Sequence, residues 1–201
     1  VHPLRPQKFM NKILIATKNP GKAKEFKHLL GMSYEVLTLL DIHFPHEIVE
    51  DGVTFEENAK IKAMTIAKNF DGLVLADDSG LEVTALGGAP GVYSARYAGE
   101  PRDDLKNNQK LMEAMKAHED RRARFRCTLV LAEGEQVLGV FEGECCGKIL
   151  HEPVGDHGFG YDSLFWADGA DHPFGKLSLD EKNKYSHRAK AMIKLREYLI
   201  G

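Results

Sequence analysis

Apolar residues along this chain recur with a period that changes several times, and each change marks an element. Lys12-Ile13-Leu14-Ile15-Ala16 is a continuous apolar run of the kind buried on both faces of a sheet. After it, Asn19 suits a helix cap and Pro20 a first turn, while Ala23, Phe26, Leu29 and Leu30 form one stripe that Gly31 ends. This predicts a strand, a loop and a helix whose N-terminus carries free amides. A second helix is predicted from Thr54, with Thr54 and Glu57 at capping-box spacing and Ala59, Ala63, Ile66, Ala67 and Phe70 inward, up to Gly72. Leu73-Val74-Leu75-Ala76 reads as a buried strand that stops at Asp77-Asp78-Ser79-Gly80, where a polar loop should leave its end.

Gly87-Gly88-Ala89-Pro90-Gly91 reads as irregular backbone, and helical spacing returns around Leu105, Leu111, Met112 and Met115. Phe125, Cys127, Leu129 and Leu131 then alternate with Arg124, Arg126 and Thr128, predicting a half-exposed strand. Glu133-Gly134-Glu135 turns the chain back into an antiparallel partner over 137–140, continuing toward 143–150 as a longer curved ribbon. Gly155, Gly158 and Gly160 mark a second glycine-rich loop. One last helix is predicted over 180–200, with Tyr185, Ala189, Met192 and Leu199 inward and Lys184, Arg188, Lys190, Lys194 and Arg196 largely outward. The pattern is mixed α/β, with early strand–helix units and a central antiparallel stretch.

Composition narrows the function classes. The 201 residues, 43% of them apolar, can bury a core as one domain or two fused lobes. A formal net charge of −3, from 27 basic and 30 acidic side chains, provides no global positive field for nucleic acid or an anionic membrane. Phosphate binding must therefore be local. No apolar run approaches the roughly 18 residues of a membrane-spanning helix, and the start lacks a signal-peptide core, so a cytoplasmic location is expected. Residues 1–11, with two prolines and no periodicity, are expected to be a disordered leader before a domain spanning 12–201. Cys127, Cys145 and Cys146 do not form a disulfide framework, and without CxxC spacing they read as apolar strand fillers rather than a zinc site.

Several constellations could carry chemistry. Asp77 and Asp78 fall at a predicted strand end, where ligands of α/β sheets collect and where hard Mg2+ takes carboxylate and phosphate oxygens; an Asx turn is the competing structural reading. Among the acids before the second helix, Glu47, Glu50 and Asp51 lie in the approach loop, and Glu50 and Asp51 are candidates for a second metal contact. Thr17-Lys18-Asn19-Pro20-Gly21-Lys22 offers hydroxyl, amide and ammonium groups at a helix N-terminus, suited to phosphate, though it is not a Walker A loop. Gly158-Phe159-Gly160-Tyr161-Asp162 sets aromatic faces beside flexible backbone and a carboxylate, a composition that can stack a base. Lys182, Lys184, His187 and Arg188 supply donors for a keto oxygen or, more plainly, a solvated helix start. A nucleophilic triad using Ser79 and His187 lacks a GxSxG elbow.

Taken in order, the blocks 17–22, Phe55-Glu56-Glu57-Asn58-Ala59, Ala76-Asp77-Asp78-Ser79-Gly80-Leu81, 85–99, 158–162 and Glu181-Lys182-Asn183 with Ser186-His187-Arg188-Ala189 resemble the inosine/xanthosine triphosphate pyrophosphatase, or Ham1-like, family. The resemblance runs from about Lys12 to the C-terminus. It implies an elongated α/β fold of two lobes, a long mixed sheet flanked by helices and a cleft between the lobes. It also implies a homodimer and Mg2+-dependent cleavage of ITP, dITP and XTP to the monophosphate and pyrophosphate. By matching position, Asp78 would be the general base near the metal, and Ser79 with Thr17, Lys18, Asn19, Pro20, Gly21 and Lys22 would meet phosphate. Phe159, Gly160, Tyr161, Asp162, Lys182, His187 and Arg188 would surround the nucleoside, and Glu50 would be a further metal ligand. Two departures fall near the nucleoside end: Ser163 stands where the family typically has proline, and Phe174-Gly175-Lys176-Leu177 replaces a Phe-Ala-Glu-Leu-like segment. The rival readings are a hydrolase of another phosphorylated metabolite and a nucleotide-binding sensor that does not cleave.

Overall fold

A computed structural model describes residues 11–45 and 48–200. The expected leader, Asn11 apart, and Glu47 lie outside the described residues. Strand β1 (Lys12–Ile15) has Ile13, Leu14 and Ile15 at 0% exposure. They are covered because parallel neighbours flank the strand: Ile13 pairs with Val36 of β2 (Glu35–Thr38) and with Leu73 of β3 (Leu73–Val83). Parallel pairing demands crossovers, and helices α1 (Pro20–Leu30) and α2 (Phe55–Ala67) lie in the two connections. With β4 (Arg122–Glu133), β5 (Gln136–Ile149) and β6 (Phe165–Ala167) the sheet has six strands in the order β2-β1-β3-β4-β5-β6, and β5 pairs with β6 antiparallel. The mixed α/β class is as expected.

The chain divides into two units, 1–77 with 129–140, and 78–128 with 141–201. The first has its own core, in which Ala59, Ala63 and Ile66 of α2 pack with Leu14, Val74 and Val130. The second is centred on aromatics: Phe125 meets Phe165 edge-on at 4.6 Å and stacks on Phe174 at 6.0 Å. Helices α3 (Asp104–Met115), α4 (Leu179–Lys182) and α5 (His187–Ile200) belong to this second unit.

Four expectations need correction. Strand β3 does not stop at Ala76; it runs through Asp77-Asp78-Ser79-Gly80 to Val83, with Asp77 only 1% and Asp78 8% exposed. Local polarity suggested a loop, but charged residues stay in a buried strand when ion pairs stabilise them. Helix α2 ends at Ala67, short of Phe70, because Asn69 and Phe70 donate back to Ile66 and Ala67 across tightened turns. Its cap is also modified, since Thr54 Oγ1 accepts from Glu57 N while Glu57 Oε2 reaches Val53 N rather than closing the box on Thr54. Strand β4 is half-exposed only at its start, for Thr128 and Val130 are as buried as Leu129. The C-terminal helix is two helices: Asn183 caps α4, Ser186 Oγ accepts from Ala189 N to start α5, and Arg188 is buried at 1% exposure instead of facing outward.

The rest follows the pattern closely. Gly134 at φ 60 opens the two-residue Gly134-Glu135 turn between β4 and β5, the position where a II′ hairpin requires glycine. Phe165→Ala should cost about 3–5 kcal/mol, against less than ~0.5 kcal/mol for Ile193→Ala on the exposed side of α5, measured by denaturant unfolding.

Candidate active site

In the first unit, the segment after β1 is held by its own side chains. Thr17 is buried, and its Oγ1 accepts from Asn19 N at 3.0 Å. Asn19 Oδ1 accepts from Gly21 N at 2.9 Å and Lys22 N at 3.2 Å, and Asn19 O accepts from Ala23 N. The expectation of free amides at this helix terminus is therefore corrected, because a good N-cap residue consumes them. Positive charge here comes from the helix dipole and from Lys18, which is exposed, and Lys22.

Lys22 Nζ lies 2.8 Å from Asp77 Oδ1, whose side chain is wholly buried. Lys62 Nζ donates to Asp77 O at 2.6 Å and pairs with Glu50 Oε1 at 3.0 Å. Lys62, about two turns into α2 and part of no motif, was missed by sequence reasoning; its signal was a cation among small core-facing alanines. Asp77 thus serves as an anchor that α1 and α2 both reach.

Asp78 is the next residue along β3, and its side chain leaves the strand on the opposite side because strand residues alternate. In the second unit, Ser79 Oγ accepts from Arg188 Nη2 at 2.8 Å. A hydroxyl that accepts from a guanidinium is not thereby activated as a nucleophile, and His187 stacks on Phe125 at 4.8 Å. The geometry gives no support to the triad reading. Lys182 Nζ bonds Asp162 Oδ2 at 2.8 Å with both side chains about 5% exposed or less, and the same oxygen accepts from Phe159 N at 3.1 Å. Lys182 Nζ sits 5.0 Å and Arg188 Cζ 5.9 Å from the centre of the Phe159 ring, so two cations lie over one aromatic ring of the loop. Gly158, at φ 77, is required twice over, since a Cβ there would run into Asp162 Oδ2. The Tyr161 hydroxyl donates to Ser94 O at 2.6 Å, and burial raises its pKa, which keeps it a neutral donor.

The predicted nucleoside residues Phe159, Gly160, Tyr161, Asp162, Lys182, His187 and Arg188 thus all fall in the second unit with Asp78 and Ser79. The predicted phosphate residues Thr17 to Lys22 and Glu50 fall in the first, so the phosphate set is divided, with Ser79 in the second. Among the described residues, no group of three or more His, Cys, Asp or Glu could hold a metal by itself. Cys127 and Cys145 are buried fillers as expected, with burial pushing the Cys145 thiol up to about 11; Cys146 is exposed and is not a filler. The two sequence departures meet around Val154. Its amide donates to Ser163 O at 2.8 Å, and a Cβ on Gly175 would run into its carbonyl. Lys176 points to solvent.

The Ham1 family model matches residues 13–198. The chain belongs to the Ham1 family. It is 52% identical over 189 residues to the dITP/XTP pyrophosphatase of Bacillus licheniformis, spanning 92% of this chain and 96% of the relative. It is 49% identical to the Bacillus subtilis protein of the same name, spanning 94% and 98%. Among solved structures, the Staphylococcus aureus Ham1 protein superposes with a TM-score of 0.83 at 40% identity, over 94% of this chain and 98% of that one. A Ham1 protein from Coxiella burnetii gives the same score at 39% identity, over 95% and 99%. The six-stranded mixed sheet with its flanking helices is the Ham1 architecture.

Breaking the buried pair in the nucleoside block has a definite expected cost. Lys182→Met strands the Asp162 carboxylate and should destabilise by about 3–5 kcal/mol, while Lys182→Met combined with Asp162→Leu should recover part of that loss, as read from chemical denaturation.

Proposed function

We propose that this protein hydrolyses the non-standard purine nucleoside triphosphates dITP, ITP and XTP to the monophosphate and pyrophosphate, removing them from the nucleotide pool. The observation that carries the reading is the near-full-length similarity, at about half identity, to relatives named dITP/XTP pyrophosphatase. The polar residues described above give it a chemical form.

Asp78 acts as the general base, accepting the proton of the attacking water. Its near-complete burial at the middle of a strand fixes the carboxylate's direction, which is what positioning a nucleophile requires. Lys18, Lys22 and the N-terminal end of α1 receive charge developing on the departing pyrophosphate. Lys22 is held for that task by Asp77. Ser79, bonded to Arg188, contacts phosphate, and the base stacks on Phe159. Lys182, His187 and Arg188 face the 6-keto oxygen of hypoxanthine or xanthine and donate to it. The amino group of adenine would leave such donors unpaired, at about 1–3 kcal/mol each.

Asp78 and Glu50 would hold Mg2+. They are hard oxygen donors, and Glu50, one-third exposed, gives only one oxygen to Lys62, leaving the other available. A donor set with few protein ligands suits an ion that keeps waters and phosphate oxygens. When bound, it would neutralise charge on the triphosphate. The reading also includes a homodimer and residence in the cytoplasm. No helix among the described residues is long and apolar enough to cross a membrane, and the net charge of −3 gives no basis for a nucleic-acid partner.

Pyrophosphate release should be seen with dITP, ITP and XTP, should depend on Mg2+, and should be at least tenfold weaker with ATP. Tight binding of dITP without turnover would favour the sensor, and turnover of an unrelated phosphoester alone would favour a different hydrolase. Asp78→Asn should lower kcat by roughly a hundredfold to ten-thousandfold while the Kd for dITP changes little. Near-normal kcat in that variant would remove Asp78 from the base role.

A further inference from the structure

Helix α3 lies outside every block assigned a role so far, yet it holds the Phe159 loop from beneath. Asp104 and Asn108 stand four residues apart, on one face of the helix. Asp104 Oδ2 accepts from Gly160 N at 2.9 Å, and Asn108 Nδ2 donates to Gly160 O at 3.1 Å. One residue of the loop therefore has both its backbone groups bonded to one helix. The Asp104 carboxylate is aligned by Arg102, whose Nε donates to the other oxygen at 2.9 Å. Asn108 is 8% exposed, and its amide has one workable orientation, since the flipped form would set oxygen against the Gly160 carbonyl.

The neighbouring Asn107 extends the anchorage. Its Oδ1 accepts from Ala98 N at 2.7 Å and its Nδ2 donates to Ala95 O at 2.9 Å, tying the 94–98 segment to the same helix. Tyr161 closes the circuit through its hydrogen bond to Ser94 O. Gly160 itself has φ 59, and the nearest atom to a Cβ there is 3.7 Å away, so its backbone conformation demands glycine and open space does not oppose the bonds.

We propose that Asp104 and Asn108 are positioning residues for nucleoside recognition: they fix the Gly160 peptide, and through it the plane of the Phe159 ring against Lys182 and Arg188. This rests on the proposed role of Phe159 in stacking the base. Within the loop, Asp162 N donates to Phe159 O at 3.1 Å, a turn bond that spans the Gly160 peptide without holding it. The loop's bonds to Asp162 hold the Phe159 amide, and the clamp from α3 holds the next peptide, so the aromatic residue is fixed on both sides. Positioning errors of this kind weaken substrate binding before they touch the chemistry at phosphorus.

The test compares Asp104→Ala, Asp104→Asn, Asn108→Ala and the near-isosteric Asn108→Asp, with Phe159→Ala as reference. KM and kcat for dITP are measured together with amide hydrogen exchange of the 158–162 peptide. Asp104→Ala, Asn108→Ala and Asn108→Asp should each raise KM roughly tenfold, the effect of one lost hydrogen bond, with kcat within about threefold. Exchange at 158–162 should rise in the same variants, and Asp104→Asn, which keeps an acceptor for Gly160 N, should restore both readouts. Unchanged exchange in these variants overturns the clamp. Unchanged KM in them while Phe159→Ala raises it overturns the positioning role and leaves the loop as reader. If Phe159→Ala itself leaves KM unmoved, the stacking role fails and the inference falls with it.

Discussion

The ion pair between Lys22 and Asp77 is the contact on which the polar arrangement of the first unit depends. It ties the start of α1 to β3 at 2.8 Å, and it does so with a carboxylate that has no exposure to water. A buried charge is costly unless paired, so the pair holds the lysine in one place as firmly as it holds the aspartate. Lys62 adds a second anchor on the same residue and carries Glu50 with it. The next residue on the strand, Asp78, is presented on the other side by the alternation of the pleat. Adjacent carboxylates are in this way sent to opposite sides of one strand, Asp77 to its ion pair and Asp78 to the side where the proposed base would act.

The second unit follows the same economy with different residues. Asp162 Oδ2 takes a lysine and a backbone amide at once, and Arg188, fully buried, is directed by Ser79. Donors held in place before a ligand arrives are the condition under which electrostatic recognition is strong.

Much of this was legible in the sequence, for identifiable reasons. Ile13-Leu14-Ile15 announced a doubly covered strand because parallel sheets bury both faces, and Asn19-Pro20 announced a helix start because cap and ring each satisfy a local requirement. The polar stretch Asp77-Asp78-Ser79-Gly80 misled because local composition does not report a partner such as Lys22, 55 positions away in the chain by their numbers. The same blindness made Arg188 look like a solvated cation and made the amides after Asn19 look free. Lys62, Asp104 and Asn108 carried no motif at all; their roles come from what tertiary structure places opposite them, the carbonyl of Asp77 and the peptide of Gly160.

In the proposed reaction pyrophosphate is the leaving group, its charge received by Lys18, Lys22 and the end of α1, and Asp78 is the base for a water that attacks the α-phosphorus. Hydrolysis of dITP in heavy-oxygen water, with both products examined by mass spectrometry after a single turnover, tests this directly. The prediction is that the heavy oxygen appears in the monophosphate alone. Heavy oxygen in the pyrophosphate would place the attack on the β-phosphorus and contradict the assignment of these residues.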